Sequence, residues 1–443
     1  MPKEMTRKTF HTIIIGSGPA GLFAGIALSE AGISNIAIMD KLLYPAGGLI
    51  NDGKLNFDYR IGIDLKELSL NREEAEQYIA KVKEYFISFP KCVQVTDPTN
   101  DTEIREWAEV AKEQHVEFIA PEQWHYGTDN SKEMVDFLRT RFKGELMLGY
   151  EVLEVKPDDK EFIVKVKAED KIEVYRSAYI IAAPGRKGAY WWKKNAQELG
   201  IETKFGRIDV GIRVELNRKF YDPITRVVYD PKFKILTRRH RDRVRTFCTN
   251  PGGRVRTENY DGFRLVNGDA LASQRSENTN FALLNTVGLT KPFSDSTEFG
   301  RFIAYIFSLL GGGRPIMQRV GDFREGRRSK EETFYSSAYH FDECHPTLNA
   351  VPGDISLGFP ARIMDNLWES LKTLDKIVPG VLHPSTIMYA PEIKFFDTKY
   401  ITNKYLESSY PGIFLAGDGT GKSRGIVGAA VSGMLAAEGI LKK

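Results

Sequence analysis

"HTIIIGSGPAGLFAGIALSEAGISNIAIMDK", residues 11–41, reads as a strand, a glycine turn, a helix and a second strand in succession. Residues 12–15 are all β-branched, the composition of a buried strand. Gly16, Ser17, Gly18, Pro19, Ala20 and Gly21 then match G-x-G-x-x-G at the strand-to-helix turn. In that pattern the first glycine allows the sharp turn and the second lets backbone approach a pyrophosphate. The third lets the helix pack closely on the strand. The helix, over 19–31, carries Ala20, Ala24, Ala27 and Ala31 on its close-packed side, is capped by Gly32, and points free N–H groups at the phosphates. A strand over 35–39 delivers Asp40, 19 residues beyond Gly21, where a carboxylate accepts from ribose hydroxyls and repels a 2′-phosphate. The stretch predicts a dinucleotide site. A tight βα turn with no ligand is the competing reading, and the flanking elements weigh against it.

The 443 residues leave room for two or three domains of ~100–200 residues each. At 42% hydrophobic, 27% charged and net +3, the composition is that of an ordinary globular protein and makes no general case for nucleic-acid binding. The apolar stretch FIAYIFSLL (302–310) is far short of the ~20 residues that cross a bilayer, so no membrane span is expected. MPKEMTRKTF at the start has no apolar signal-peptide core. Cys92, Cys248 and Cys344 have neither metal-ligand nor C-x-x-C spacing, so no metal site is expected and a reducing cytoplasm is the expected compartment.

Beyond Asp40, the glycine-rich stretch 41–58 reads as a loop. Helical patterns follow at 71–89, 102–114 and 131–144. The period then drops to two, giving a β-meander that ends in a buried strand over 178–183 and Gly185. Residues 203–287 stay strand-like, with helical patterns at 297–310 and 361–377 and a last strand at 413–416. The expected fold is α/β. A doubly wound, Rossmann-like domain is assembled from 1–202 (with a helical insertion near 60–120) and 383–443. An α+β substrate domain over 203–382 is inserted between them.

Gly417 and Asp418 narrow the ligand. A protein holding only NAD at its N-terminus needs no second glycine-rich loop about 400 residues later. An extended FAD does, because its ribityl chain and flavin ring need contacts of their own. Asp418 can accept a ribityl hydroxyl. Ser423, Arg424, Gly425, Ile426 and Val427 open a helix whose positive end suits the flavin N1 and C2 carbonyl, where negative charge gathers on reduction.

The arrangement resembles the glutathione-reductase superfamily of FAD proteins: the fingerprint, Asp40, Gly47 and Gly48 after it, IIAAPG closing the meander, and GIFLAGDG near the end. NDGKLNF, HYGTD, FCTNPGGRV, VNGDALASQR, MQRVGDF and GDGTGKSRGIVGAAVSG resemble a group known only as FAD-dependent dehydrogenases. The resemblance implies cofactor contacts at Lys41, Val152, Ala183 and Gly185 as well. Disulfide reductases of the superfamily carry two cysteines after the glycine pair, where this chain has Ile50 and Leu55, so a redox-active disulfide is excluded. A second strand–G-x-G-x-x-G–helix unit is absent, so NADH or NADPH would have to visit the flavin pocket itself.

The expected activity is FAD-dependent two-electron (hydride) transfer at flavin N5, to or from a small organic substrate. Lys54 and Arg424 are the candidate catalytic cations, each with a competing reading as an ordinary loop side chain. Cys248 is either a thiol nucleophile or a buried strand residue, and His125 and His345 are either acid–base groups or structural imidazoles. The clusters 238–245 and 324–330 suggest an anion site at Arg327 and Arg328, or an RNA-modifying flavoenzyme; alternation along a strand more simply gives Arg239, Arg241, Arg243 and Arg245 one solvated face. A flavoprotein that keeps FAD as a structural or sensory core is the third alternative.

Overall fold

Ile13, Ile14 and Ile15 are buried at the centre of a seven-stranded sheet. The computed structural model describes residues 6–44, 47–51, 53–99, 102–204, 206–260, 262–270, 275–293, 295–335, 344–395 and 398–443; parts of the motif stretches 51–57 and 266–275 lie outside these. The chain divides into two units, one of 1–93, 124–206 and 397–443, the other of 94–123 and 207–396.

In the first unit the central strands are β1 (Thr6–Ile15), β2 (Ile36–Asp40), β3 (Glu145–Leu148), β4 (Tyr150–Asp158), β5 (Glu161–Ala168), β6 (Lys171–Ala182) and β7 (Ile413–Leu415). The order β3-β2-β1-β6-β5-β4 has β7 pairing with β6. The last strand of the expected meander and the buried strand that ends it are thus one long strand used twice. Residues 171–177 of β6 pair antiparallel with β5, and residues 180–182 pair parallel with β7. Its other edge runs parallel to β1 from Val174 to Ala182.

Ile15 therefore lies beside Met39 and Ala182, and Ala182 beside Leu415. The carboxyl ends of β1, β2, β6 and β7 share one edge, where ligands bind in open parallel sheets. The longer helices of the unit are α1 (Pro19–Glu30), α2 (Arg72–Ile87), α3 (Ser131–Arg139), α4 (Gly185–Glu198) and α5 (Gly425–Leu441). Phe23, Ile26 and Leu28 of α1 are buried in its apolar core, each worth about 1.5–3 kcal/mol. A Cβ on Gly433 of α5 would lie 2.0 Å from the Ala20 carbonyl oxygen, so only glycine there lets α5 lie against α1.

Helix α2 buries Ala75, Ile79, Val82 and Phe86, one stripe at helical spacing, and packs on α5. Its start is closed reciprocally: Asn71 Oδ1 accepts from Glu74 N, and Glu74 Oε2 accepts from Asn71 N, both at 2.9 Å. Asn71→Ala is expected to cost about 1 kcal/mol, read as a lower urea midpoint with unchanged slope.

The second unit holds an eight-stranded sheet in the order Val351–Pro352, Ile316–Arg319, Ile387–Lys394, Ile208–Asn217, Asn278–Val287, Arg243–Pro251, Lys232–Leu236 and Val116–Ile119. Only the first of these pairings is parallel. Helices Ser296–Leu310 and Ala361–Ile377 bury Ile303, Phe307, Leu367 and Leu371 in its core. This unit takes in 94–123 and 383–396, which the sequence reading placed with the dinucleotide-binding segments. The reason is non-local pairing, of Val116–Ile119 with Lys232–Leu236 and of Ile387–Lys394 with Ile208–Asn217.

Candidate functional site

The carboxyl edge of the first sheet gathers most of the residues singled out in the sequence. Gly16 has φ +99°, and a Cβ there would stand 2.2 Å from the Ala183 carbonyl oxygen. Its amide donates to Met39 O at 2.8 Å, while Ala183 N donates to Ile15 O at 2.9 Å, so this turn is sewn to both neighbouring strands. A Cβ on Gly21 would sit 1.9 Å from Gly16 O, which gives the close helix–strand approach expected of the third glycine. Gly18 differs: among the described residues, a Cβ there would meet nothing within 4 Å beyond its chain neighbours. It is the N-cap of α1 and contributes no side-chain bond to the helix's first N–H groups. Asp40 Oδ2 accepts from Ser17 N and Ser17 Oγ at 2.9 and 3.0 Å, and Oδ1 from Leu42 N at 3.0 Å. The carboxylate thus clamps the turn, and Oδ1, with one bond, keeps acceptor capacity for a further hydroxyl. Lys41 is exposed, 3.9 Å from Glu151. Val152 is buried in the core beneath the meander.

Gly417 and Asp418 follow β7 at the same edge. Ala416 N donates to Ala182 O at 3.0 Å, and a Cβ on Gly417 would lie 3.0 Å from Ala20 Cβ. A Cβ on Gly419 would lie 2.2 Å from Gly185 O, so the turn after β7 rests backbone to backbone on the turn after β6. The Asp418 side chain is 34% exposed and faces Arg186 at 3.8 Å. Burial pushes its carboxyl above the ordinary range, against the pull of Arg186 and Arg424. Arg424 is the N-cap of α5, with no side-chain cap bond; Gly425 is exposed, and Ile426 and Val427 are buried.

The loop after β2 joins the two glycine turns. Gly47 (φ +50°) would set a Cβ 3.7 Å from Gly18 Cα, and a Cβ on Gly48 would lie 3.6 Å from Ile426. Further on, Arg424 N donates to Gly62 O at 2.7 Å, and Ile63 forms a β-bridge with Ser423. Between these anchors the strand Lys54–Asn56 packs on α5. Lys54 is buried, which removes the reading of a loop lysine in solvent. Tyr126 N donates to Gly53 O, and Tyr126 OH to Leu49 O. His125 stands beside Gly53, and its Nδ1 accepts from Gly127 N at 2.9 Å, which leaves Nε2 as the N–H donor of a neutral ring. The structure therefore brings Lys54, His125, Arg424 and Asp418 into one unit with the fingerprint. Arg186, ahead of Asp418, and Lys422, buried in the same loop, are additions that nothing in the linear pattern marks.

The remaining candidates lie in the second unit. Cys248 is half-buried at a β-bulge with φ +48°, and its carbonyl accepts from Arg213 Nη1 and Asn250 Nδ2. Pro251, Gly252 and Gly253 form a turn, but the strands on either side do not pair with each other. His345 is exposed, as are Arg327 and Arg328. Residues 238–241 form a turn, so the arginines from 239 to 245 do not share a strand face. Arg239 pairs with Asp365 at 2.6 Å and Arg245 with Asp209 at 2.7 Å, which neutralises part of that cluster.

Residues 9–260 match the FAD binding domain family, and residues 207–394 match the family described as FAD-dependent protein, C-terminal domain-like. An uncharacterized protein of Clostridium beijerinckii is 24% identical over 466 residues, covering 97% of this chain and 80% of its own length. Among solved structures, E. coli quinol fumarate reductase FrdA is similar over 99% of this chain and 71% of that chain, at 12% identity and a TM-score of 0.45. NikD, an unusual amino acid oxidase, is similar over 97% and 93%, at 10% identity and a TM-score of 0.42. At these values neither structure adds to the reading of the site. No helix among the described residues is long and apolar enough to cross a membrane.

Proposed function

The chain belongs to the FAD binding domain family and its cofactor is FAD; from that premise we propose that it is an FAD-dependent oxidoreductase acting on a small organic substrate. The observation that carries this reading is the meeting of Gly18, Gly47, Gly48 and Ile426. It joins the fingerprint turn to the start of the last helix, as one extended ligand requires. The open space at Gly18 suits a pyrophosphate, Asp40 a ribose, and Asp418 a ribityl hydroxyl. Ala183, Gly185 and Gly417 set the backbone floor, and Gly425, Ile426 and Val427 the ring end.

When bound, FAD supplies two-electron (hydride) transfer at flavin N5. The chain's residues orient it and hold charge around it. Arg424 caps the start of α5 and buried Lys54 lies on a strand that packs against that helix, and the α5 N-terminus adds partial positive charge. On this reading the first unit is the FAD domain and the second the substrate domain, within the glutathione-reductase superfamily. Hydride leaves from or arrives at a carbon of the substrate, with NADH or NADPH as a visiting partner. The pairing of Arg239 with Asp365 and Arg245 with Asp209 favours this over the RNA-modifying alternative.

An anaerobic visible spectrum of the purified protein, before and after NADPH and then NADH, tests the proposal. A flavin spectrum that bleaches with either is the expected result. A protein that carries no flavin and takes up none on reconstitution would sink it.

A further inference from the structure

Lys422 lies between Asp418 and Arg424, and none of the roles above uses it. Its side chain is 2% exposed, and Nζ donates to Tyr400 O at 2.7 Å and Thr402 Oγ1 at 2.8 Å. Both acceptors are neutral. The carboxylates that face this region, Glu67 and its neighbour Asp64, are engaged by other ammonium groups. Lys399 stands 2.9 Å from Glu67 and 3.6 Å from Asp64, and Lys204 stands 3.0 Å from Glu67. The loop itself is closed by Gly421 N to Asp418 O and Lys422 N to Gly417 O, and Gly421 rests on Thr398 and Lys399.

An ammonium set among neutral acceptors costs the fold stability, because its lost hydration is only partly replaced. Burial lowers the Lys422 value from 10.5 to about 8, with Glu67 and Asp64 pulling up and Lys204 and Lys399 pushing down. The folded value lies below the unfolded one. Between pH about 8 and 10.5 the unfolded chain therefore holds a proton that the folded chain has released, and this group's contribution to stability rises with pH across that window. A methionine of similar length would remove the penalty. A residue that the fold alone disfavours, placed in the loop that leads into α5, has its explanation in the ligand.

We propose that Lys422 is an electrostatic positioning residue: it locks the 417–424 loop to 400–402, and its charge stabilises the negative charge a bound flavin gains on two-electron reduction. The inference rests on the FAD-dependent reading above. Two electrons and one proton, which goes to N5, give the anionic reduced ring. Where Lys422 is neutral in the oxidised protein, that new charge draws a second proton from solvent onto Nζ.

The test is a spectroelectrochemical titration of the FAD-loaded protein from pH 6.5 to 9.5, the electrode supplying the electrons. In the wild type the midpoint potential should fall more steeply with pH just above 8, the sign of the second proton. Lys422→Met should lose that break. At pH 7 its preference for reduced over oxidised flavin should weaken by about tenfold, one pKa unit's worth. Lys422→Gln serves as a second neutral variant. A wild type without the break, or variants with its potentials and slopes, would overturn the proposal whatever their stability. A protein that binds no FAD fails the functional reading first, which is a separate outcome.

Discussion

Gly16→Ala is expected to leave the chain largely unfolded and unable to take up FAD, whereas Gly18→Ala should fold normally and bind FAD roughly 10–100-fold more weakly. The two glycines are two residues apart in one motif, but what surrounds them is opposite. At Gly16 an alanine would hold φ +99°, with its Cβ 2.2 Å from a carbonyl oxygen that belongs to backbone. Ala183 cannot yield, because its own amide is bonded to Ile15 at 2.9 Å. Backbone strain of about 1–3 kcal/mol therefore adds to a clash in a close-packed interior. The sum takes a large share of a typical total of ~5–15 kcal/mol. At Gly18 the same methyl meets, among the described residues, no atom within 4 Å beyond its own chain neighbours. It projects into the space proposed for the pyrophosphate, so only the ligand should feel it. Thermal melts followed by circular dichroism, with FAD titrations monitored by flavin fluorescence, separate the two. An unimpaired FAD affinity in a folded Gly18→Ala protein would remove the pyrophosphate from that turn.

What could be read in one dimension was what a short window encodes. The strand, turn and helix of 12–31 came from β-branching, glycine spacing and alanine periodicity, and the helices at 72–87, 296–310 and 361–377 came from the 3.6-residue period. Helix Gly185–Glu198 escaped notice because it opens on glycines and carries Tyr190, Trp191 and Trp192, weak helix formers. It is held by burial of Ala189, Trp192, Asn195 and Ala196 on one face, a tertiary effect. The unit boundaries at 123–124 and 396–397 are hidden for a related reason: the strands before them, Val116–Ile119 and Ile387–Lys394, take partners more than 100 residues away. At the candidate site, the glycine turns and Asp40 stand out in the sequence because each answers a local backbone demand. Lys422 does not, since no sequence pattern distinguishes a lysine that ends on Tyr400 and Thr402 from one in water. His125 was visible as an imidazole, but its neighbour Gly53 lies 72 positions away.

Arg213→Met is expected to destabilise the second unit by about 3–5 kcal/mol, and adding Glu392→Leu should restore most of that loss. Both side chains are fully buried. Arg213 Nε and Nη2 bind the two oxygens of Glu392 at 2.7 and 2.5 Å. Nη2 also reaches Asn267, and Nη1 reaches Cys248 O and Asn280, so all five N–H donors are used. Such an arginine has nothing left for a substrate anion. Its work is to tie Ile208–Asn217 to Ile387–Lys394 and Asn278–Val287 where the first of these pairings is irregular, between Gly211 and Arg213. Removing it alone strands the Glu392 carboxylate in the interior with only Lys394, 3.1 Å away, for company. Removing both charges leaves Lys394 with Glu258 at 3.4 Å and replaces two costly desolvations with apolar packing. Urea denaturation of the four proteins gives the coupling directly. A term of at least ~2 kcal/mol is expected for groups in direct contact. If the double variant is as unstable as the two single losses added, the pair is not acting as a unit, and the bonded carbonyl and amides, rather than Glu392, are what Arg213 holds.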